Sequence, residues 1–365
     1  MKSLKKLGYL IPLVLPLILV FRFEQGGWHL YGTVIFAFII LPAIDYLIGL
    51  DTANVPKEEE NSAAEEFYYR FVTYAWAFVQ MGLVIWAAYV IGTGKINTTF
   101  EWIGFILSFG TITGGIGITV AHELGHKKSA WERFLAQVLL MTVSYMHFYI
   151  EHNRGHHVTV ATPEDPATSR KDENFYSFWF RSVFMGYLHA WKIELESLRR
   201  KGKAAISIYN NMIWFALLPL VLCATLTLTS SWYHGYFVWQ IIPFFFAQSV
   251  IAFTLLELVN YIEHYGIERR EISPGKFERV NPLHSWNASH MISNFFLFQL
   301  QRHSDHHAYA HKRYQVLKHY DESPQLPFGY STMILIALLP PLWFALMNKR
   351  LEHWKAMQYS TAALA

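Results

Sequence analysis

Six stretches of this 365-residue chain are long and apolar enough to cross a bilayer core as helices, which removes most soluble folds from consideration. They cover about residues 7–21, 28–50, 71–91, 102–120, 212–229 and 237–261. The first follows Lys2, Lys5 and Lys6 and so has the flank of a signal peptide. Pro12 and Pro16 interrupt it and no small-residue cleavage site follows, so it is read as an anchor. Three other apolar segments, 131–150, 175–198 and 330–347, are read as packing beneath the spans. A crossing by 131–150 would place the histidines before and after it on opposite membrane faces. Segment 175–198 mixes aromatic residues with Arg181, Lys192, Glu194 and Glu196, the pattern of an interfacial helix. Segment 330–347 carries Pro340 and Pro341.

Charge placement orients the spans. With both termini inside, the outer loops are 22–27, 92–101 and 230–236, and they hold only Arg22 and Lys95 of the 30 Lys and Arg residues. Positive residues mark the cytoplasmic side. The expected fold is an all-α polytopic membrane protein in a single domain, residues 1–365, with six transmembrane helices. A cytoplasmic cap is built from 121–208 and 262–365. Topology accounts for the basic residues, and no nucleic-acid partner is implied. The lone Cys223 lies inside an apolar run, which excludes a disulfide framework and a thiolate metal site.

The chemistry is carried by histidine. Of 18 in the chain, nine cluster in four segments: His122 and His126 in HELGH; His152, His156 and His157 in EHNRGHH; His264 in NYIEHYG; and His303, His306 and His307 in LQRHSDHH. All fall just past the inner end of a span or in the cap. Residues three or four apart share a helix face, so each such pair can aim two imidazoles at one point. The adjacent pairs 156/157 and 306/307 diverge by about 100° around a helix and can serve two centres. HELGH alone reads as a zinc-protease helix, but a catalytic zinc takes only three protein ligands. Nine imidazoles suit two ions that keep sites open for oxygen. Imidazole binds iron, copper, zinc and nickel, so the ligands alone do not name the metal. His29, His234 and His353 read as polar side chains at the membrane edge, and His147, His189, His284, His290 and His319 as packing or supporting residues. His311 shares a helical face with His307.

The H-x3-H, H-x3-HH and H-x2-HH boxes resemble those of the membrane-bound non-haem di-iron hydroxylases and desaturases. NYIEHYG together with the whole of LQRHSDHH resembles the alkane 1-monooxygenase (alkane omega-hydroxylase) family, over nearly the full chain. The resemblance implies two iron ions in the cap, held by the nine clustered histidines. It implies hydroxylation of medium-chain n-alkanes to primary alcohols with O2 and two electrons from rubredoxin, itself served by a rubredoxin reductase. It also implies residence in a bacterial inner membrane. Ligating imidazoles need their other nitrogen fixed, commonly by a carboxylate. Glu123, Glu151, Glu263 and Asp305 stand beside the ligands, with Glu257, Asn260 and Asp165 further candidates.

The small residues of TITGGIG, among them Gly114 and Gly115, serve either close helix contact or a substrate tunnel that continues past Ile118. Phe36, Ile39 and Ile40 are candidates for the tunnel wall on the second span. Arg199, Arg200, Lys201 and Lys203, or Lys312, Arg313 and Lys318, are candidates for steering an acidic electron donor. The alternatives are a fatty-acyl desaturase or xylene-type hydroxylase on the same scaffold, a zinc intramembrane protease, and a metal transporter or store. The protease leaves seven clustered histidines unexplained, and a transporter would place its ligands at mid-membrane.

Overall fold

The computed structural model describes residues 2–362. Six helical spans form the bundle: Lys5–Phe23, Gly27–Ile48, Glu60–Gly92, Thr99–Gly125, Asn211–His234 and Ile241–His264. The chain is a multi-pass membrane protein, and the short connections 24–26, 93–98 and 235–240 all lie at one end of it. The fourth span begins where Thr98 and Glu101 form a capping box, and the fifth ends at Gly235 in the left-handed conformation.

The fourth and sixth spans run further than their hydropathy indicates, to Gly125 and His264, so that His122 and His264 ride on their last turns. Segment 131–150 does not cross: the helix Ala130–Met141 turns back, and a second helical segment from Phe148 to Thr159 brings three histidines to the same end. The helix Phe175–Arg200 follows, and the segment after the sixth span supplies the short helix His303–Ala308. The helices Tyr330–Ala337 and Pro340–Ala362 complete the layer, with Trp343 packed on Tyr261 and Tyr265 at ring separations of 5.0 and 5.3 Å.

Two devices hold the spans together where water cannot help. Gln80 of the third span donates to Thr142, Gln248 of the sixth donates to the Thr142 carbonyl, and Thr113 of the fourth donates to Gln248. These bonds satisfy polar groups that would otherwise lie bare in an apolar core. The second device is backbone contact. A methyl on Gly114 would stand 2.6 Å from the Ala252 backbone, so only glycine lets the fourth and sixth spans meet there. Gly114→Ala forces these spans apart and is expected to destabilise the bundle by about 1–3 kcal/mol. Thermal unfolding in lipid nanodiscs will show this as a lowered midpoint.

Candidate metal centre

The fold brings all nine clustered histidines together at one end of the bundle, in two sets. His122, His126, His152, His157 and His306 form one, and His156, His264, His303 and His307 the other; within each set the potential ligand nitrogens lie within 4.8 Å of one another. The adjacent pairs 156/157 and 306/307 divide between the sets. So do His152 and His156, and His303 and His306, pairs whose helical spacing points to a shared centre. Spacing fixes only that two side chains leave the helix on one side; the rotamers then lean them to different points. His152–His156 is also a π-helical turn, and another, Ile112–Ile118, directly precedes the helix carrying His122. His311 is exposed and belongs to neither set.

The donor chemistry fits metal. Nε2 of His152 faces Nε2 of His126 and of His157, each at 3.1 Å, and Nε2 of His307 faces Nε2 of His303 at 2.8 Å and of His156 at 3.3 Å. A neutral imidazole has one N–H and one lone pair, so one nitrogen directed at several others is a poor hydrogen-bonding scheme and a good ligand scheme. Nε2 of His122 is buried with no hydrogen-bond partner among the described residues. Burial, and then the neighbouring imidazoles, hold His126, His152, His157, His303, His306 and His307 well below the ordinary histidine pKa. They are therefore in the neutral form that binds a cation. His156 differs. Burial opposes its protonation, but Asp165 above all, with Glu151 and Glu257, outweighs burial and raises its pKa.

The carboxylates are arranged otherwise than their sequence neighbours suggest. Asp165 meets Nδ1 of His156 at 2.8 Å and also holds Thr168, so it fixes that ring from behind. Glu263 lies on the opposite side of its ring. Its Oε2 is 3.1 Å from Nε2 of His303, the nitrogen that faces His264 and His307, and its Oε1 accepts from the Tyr330 hydroxyl at 2.7 Å. The second set thus has four imidazoles with a carboxylate at its edge. The other candidates have partners elsewhere. Glu123 pairs with Lys127 at 2.9 Å and accepts from the Tyr314 amide. Glu151 faces His189 at 3.4 Å, and Glu257 accepts from Tyr145 and Asn260. Asp305 binds Lys312, Tyr320 and the Lys318 amide. These acids fasten the cap segments to one another.

A largely apolar cavity reaches both sets, touching His122 and His152 of the first and His303 of the second, with Glu263 and Asn260 beside them. Gly114, Gly115 and Ile118 line it from the fourth span. From the second span the lining is Ala37, Phe38 and Leu41, a correction to the expected Phe36, Ile39 and Ile40. Ile39 and Ile40 are exposed on the outer face, and Phe36 turns toward the Phe296 ring at 5.9 Å. A π-helical turn at Phe36–Ile40 rotates this stretch against a regular helix, and an all-apolar run carries no mark of which face turns inward. Tyr330, which also lines the cavity, had no motif to flag it.

Residues 96–337 match the fatty acid desaturase family, so fold and site define a membrane protein of that class. An alkane 1-monooxygenase of Alcanivorax borkumensis is 43% identical, over 97% of this chain and 93% of its own length. One from Pseudomonas aeruginosa is 42% identical over 98% of this chain and 94% of its own length. A xylene/toluene monooxygenase hydroxylase component from Pseudomonas putida is 28% identical over 97% and 90%. The chain belongs to the alkane 1-monooxygenase family.

Asp165→Asn removes the charge that fixes His156 while keeping the shape. Iron affinity is expected to fall about 10–100-fold, read by iron retention against a chelator; retention equal to wild type would remove Asp165 from the support of the site.

Proposed function

We propose that this protein hydroxylates the terminal carbon of n-alkanes, using O2 and two electrons, at a pair of iron ions held by the two histidine sets. The carrying observation is the cavity: one apolar passage ends on imidazoles of both sets. The five-histidine set would hold one ion and the four-histidine set the other, with Glu263 at its edge. The bound ions supply the oxygen activation and hydrogen abstraction that no side chain here can perform.

The chain's own residues supply position. Gly115 lies seven residues before His122, so the passage continues about 10 Å along the fourth span from the ligands. A methyl on Gly115 would meet nothing within 4 Å, in contrast to Gly114, so the missing side chain is space in the passage. Half-buried Phe38 of the second span and Leu255 and Val259 of the sixth line the cavity toward the bundle's outside, where the surroundings are lipid. An alkane dissolved in the bilayer can enter there. A narrow passage admits it end-on, so the methyl group reaches the ligands although its C–H bonds are the strongest in the chain; positioning outweighs intrinsic reactivity.

The histidine-bearing end is the cytoplasmic side of a bacterial inner membrane in this reading, supported by the lysines and arginines there. Rubredoxin, itself reduced by its reductase, is the proposed donor. Lys312, Arg313 and Lys318 are paired with Asp305, Glu132 and Glu60, which weakens their field. Arg199, Arg200 and Lys201 are exposed at the end of their helix and are the better candidates for steering an acidic protein.

The test is product identity with a rubredoxin system: a primary alkanol from an n-alkane supports the reading, and an alkene or a benzylic alcohol formed in preference overturns it. His307→Ala is expected to lose iron and abolish turnover. His29→Ala is expected to leave both unchanged, because that ring is exposed at the far end, beside the Gly26 carbonyl. Gly115→Leu fills the passage and is expected to lower the longest alkane accepted while iron content stays at the wild-type level; an unchanged range of products would remove Gly115 from the passage.

A further inference from the structure

The helix Phe175–Arg200 is read from the sequence as an interfacial helix of the cap, and its surface changes character midway. Its exposed side chains as far as Leu188 are almost all apolar: Tyr176, Phe180, Phe184, Met185, Tyr187 and Leu188, with Phe180 62%, Phe184 59% and Leu188 58% exposed. From Lys192 onward they are mostly charged: Lys192, Glu196, Arg199 and Arg200, with Leu195 the apolar exception. Tyr176, Phe180, Phe184 and Leu188 are spaced by four and form one stripe. Six large apolar side chains contiguous on a surface call for an occupant.

The geometry points to that occupant. We infer that the first half of this helix is immersed in the bilayer, with lipid acyl chains covering the stripe, and that its second half emerges into water. Trp179 donates its indole N–H to Thr254 of the sixth span at 3.0 Å. Thr254 is ten residues before His264, about 15 Å back along that span from the histidine-bearing end. A helix that touches a span at that depth lies beside it within the membrane. The fifth span likewise exposes large apolar side chains at Trp214, Leu217 and Val221. The loop between the two helices presents Ile206, 91% exposed, and Ile208, a second apolar insertion just before that span. Exposed charge begins where the helix leaves this zone, as expected for an interfacial segment, while Arg181 within it is half-buried and paired with Glu173.

The immersion has a consequence for the metal centre. The opposite face of the same helix, through Ser182 and Gly186, closes a small polar pocket with Glu151 and Glu257, against the segment that carries His152, His156 and His157. Lipid on the stripe therefore presses the helix onto the backing of three ligands. This consequence, though not the immersion itself, rests on the proposed iron site.

Spin labels on single cysteines at positions 180, 184 and 188, in a Cys223→Ala background and in phosphatidylcholine–phosphatidylglycerol vesicles, read the surroundings without turnover. The expected ratio of collisions with oxygen to collisions with a water-soluble nickel chelate is several-fold higher there than at 196 and 203. A ratio at 184 equal to that at 196 overturns the inference, as does a label at 184 shielded from both reagents, which would mean a protein covers the stripe. Wild-type protein labelled by a photoactivatable lipid gives a second reading that needs no substitution: adducts are expected within 176–188, and their absence there is contrary. Replacing Phe180, Phe184 and Leu188 together by Ser is expected to speed iron loss in vesicles several-fold; unchanged iron loss with the labels still in lipid would overturn the link to the ligands alone.

Discussion

Nine imidazoles packed against one another at the end of a membrane bundle are the constraint on which the rest depends. Nitrogens that face one another at about 3 Å, with one N–H and one lone pair per ring, cannot all be satisfied by hydrogen bonding among themselves. Buried polar groups left without partners cost several kcal/mol each in apolar surroundings. A cation shared by each set turns the same crowding into ligation. The fold serves this need: four segments distant in the chain are brought to one end, and the ligands sit on the final turns of spans or on short cap helices braced by Asp305, Glu123 and Glu132.

Neutral ligands and an apolar approach belong together. The imidazoles add no net charge to an ion, and the cavity beside them is lined chiefly by aliphatic and aromatic residues, with Gly114 and Gly115 among them. The two neighbouring glycines divide the tasks that a small-residue stretch leaves open: Gly114 allows two spans to touch, and Gly115 leaves space. The hydroxyl of Tyr330 ties Glu263, at the edge of the four-histidine set, to a helix that lines the cavity.

What could be read in the sequence follows physical range. The six spans show in hydropathy because each must satisfy its own backbone in lipid. The ligand boxes show because two imidazoles on one helix obey a fixed spacing. The partition of those ligands into two sets depends on rotamers and on the π-helical turn at His152–His156, which spacing does not encode. The supporting acids were harder still. Neighbours in sequence such as Glu123 and Asp305 point away from the rings, whereas Asp165 reaches His156 only because the loop after Thr159 doubles back. On the second span the cavity is lined by Ala37, Phe38 and Leu41 in place of the expected Phe36, Ile39 and Ile40, because an unbroken apolar run does not declare its inner face.

The most direct test of the two-centre site is metal analysis of the purified protein combined with Mössbauer spectroscopy of the iron-57 form. Two irons per chain, resolved as two nitrogen-rich sites of unlike ligand number, are expected. One metal per chain, or zinc without iron, would contradict the account.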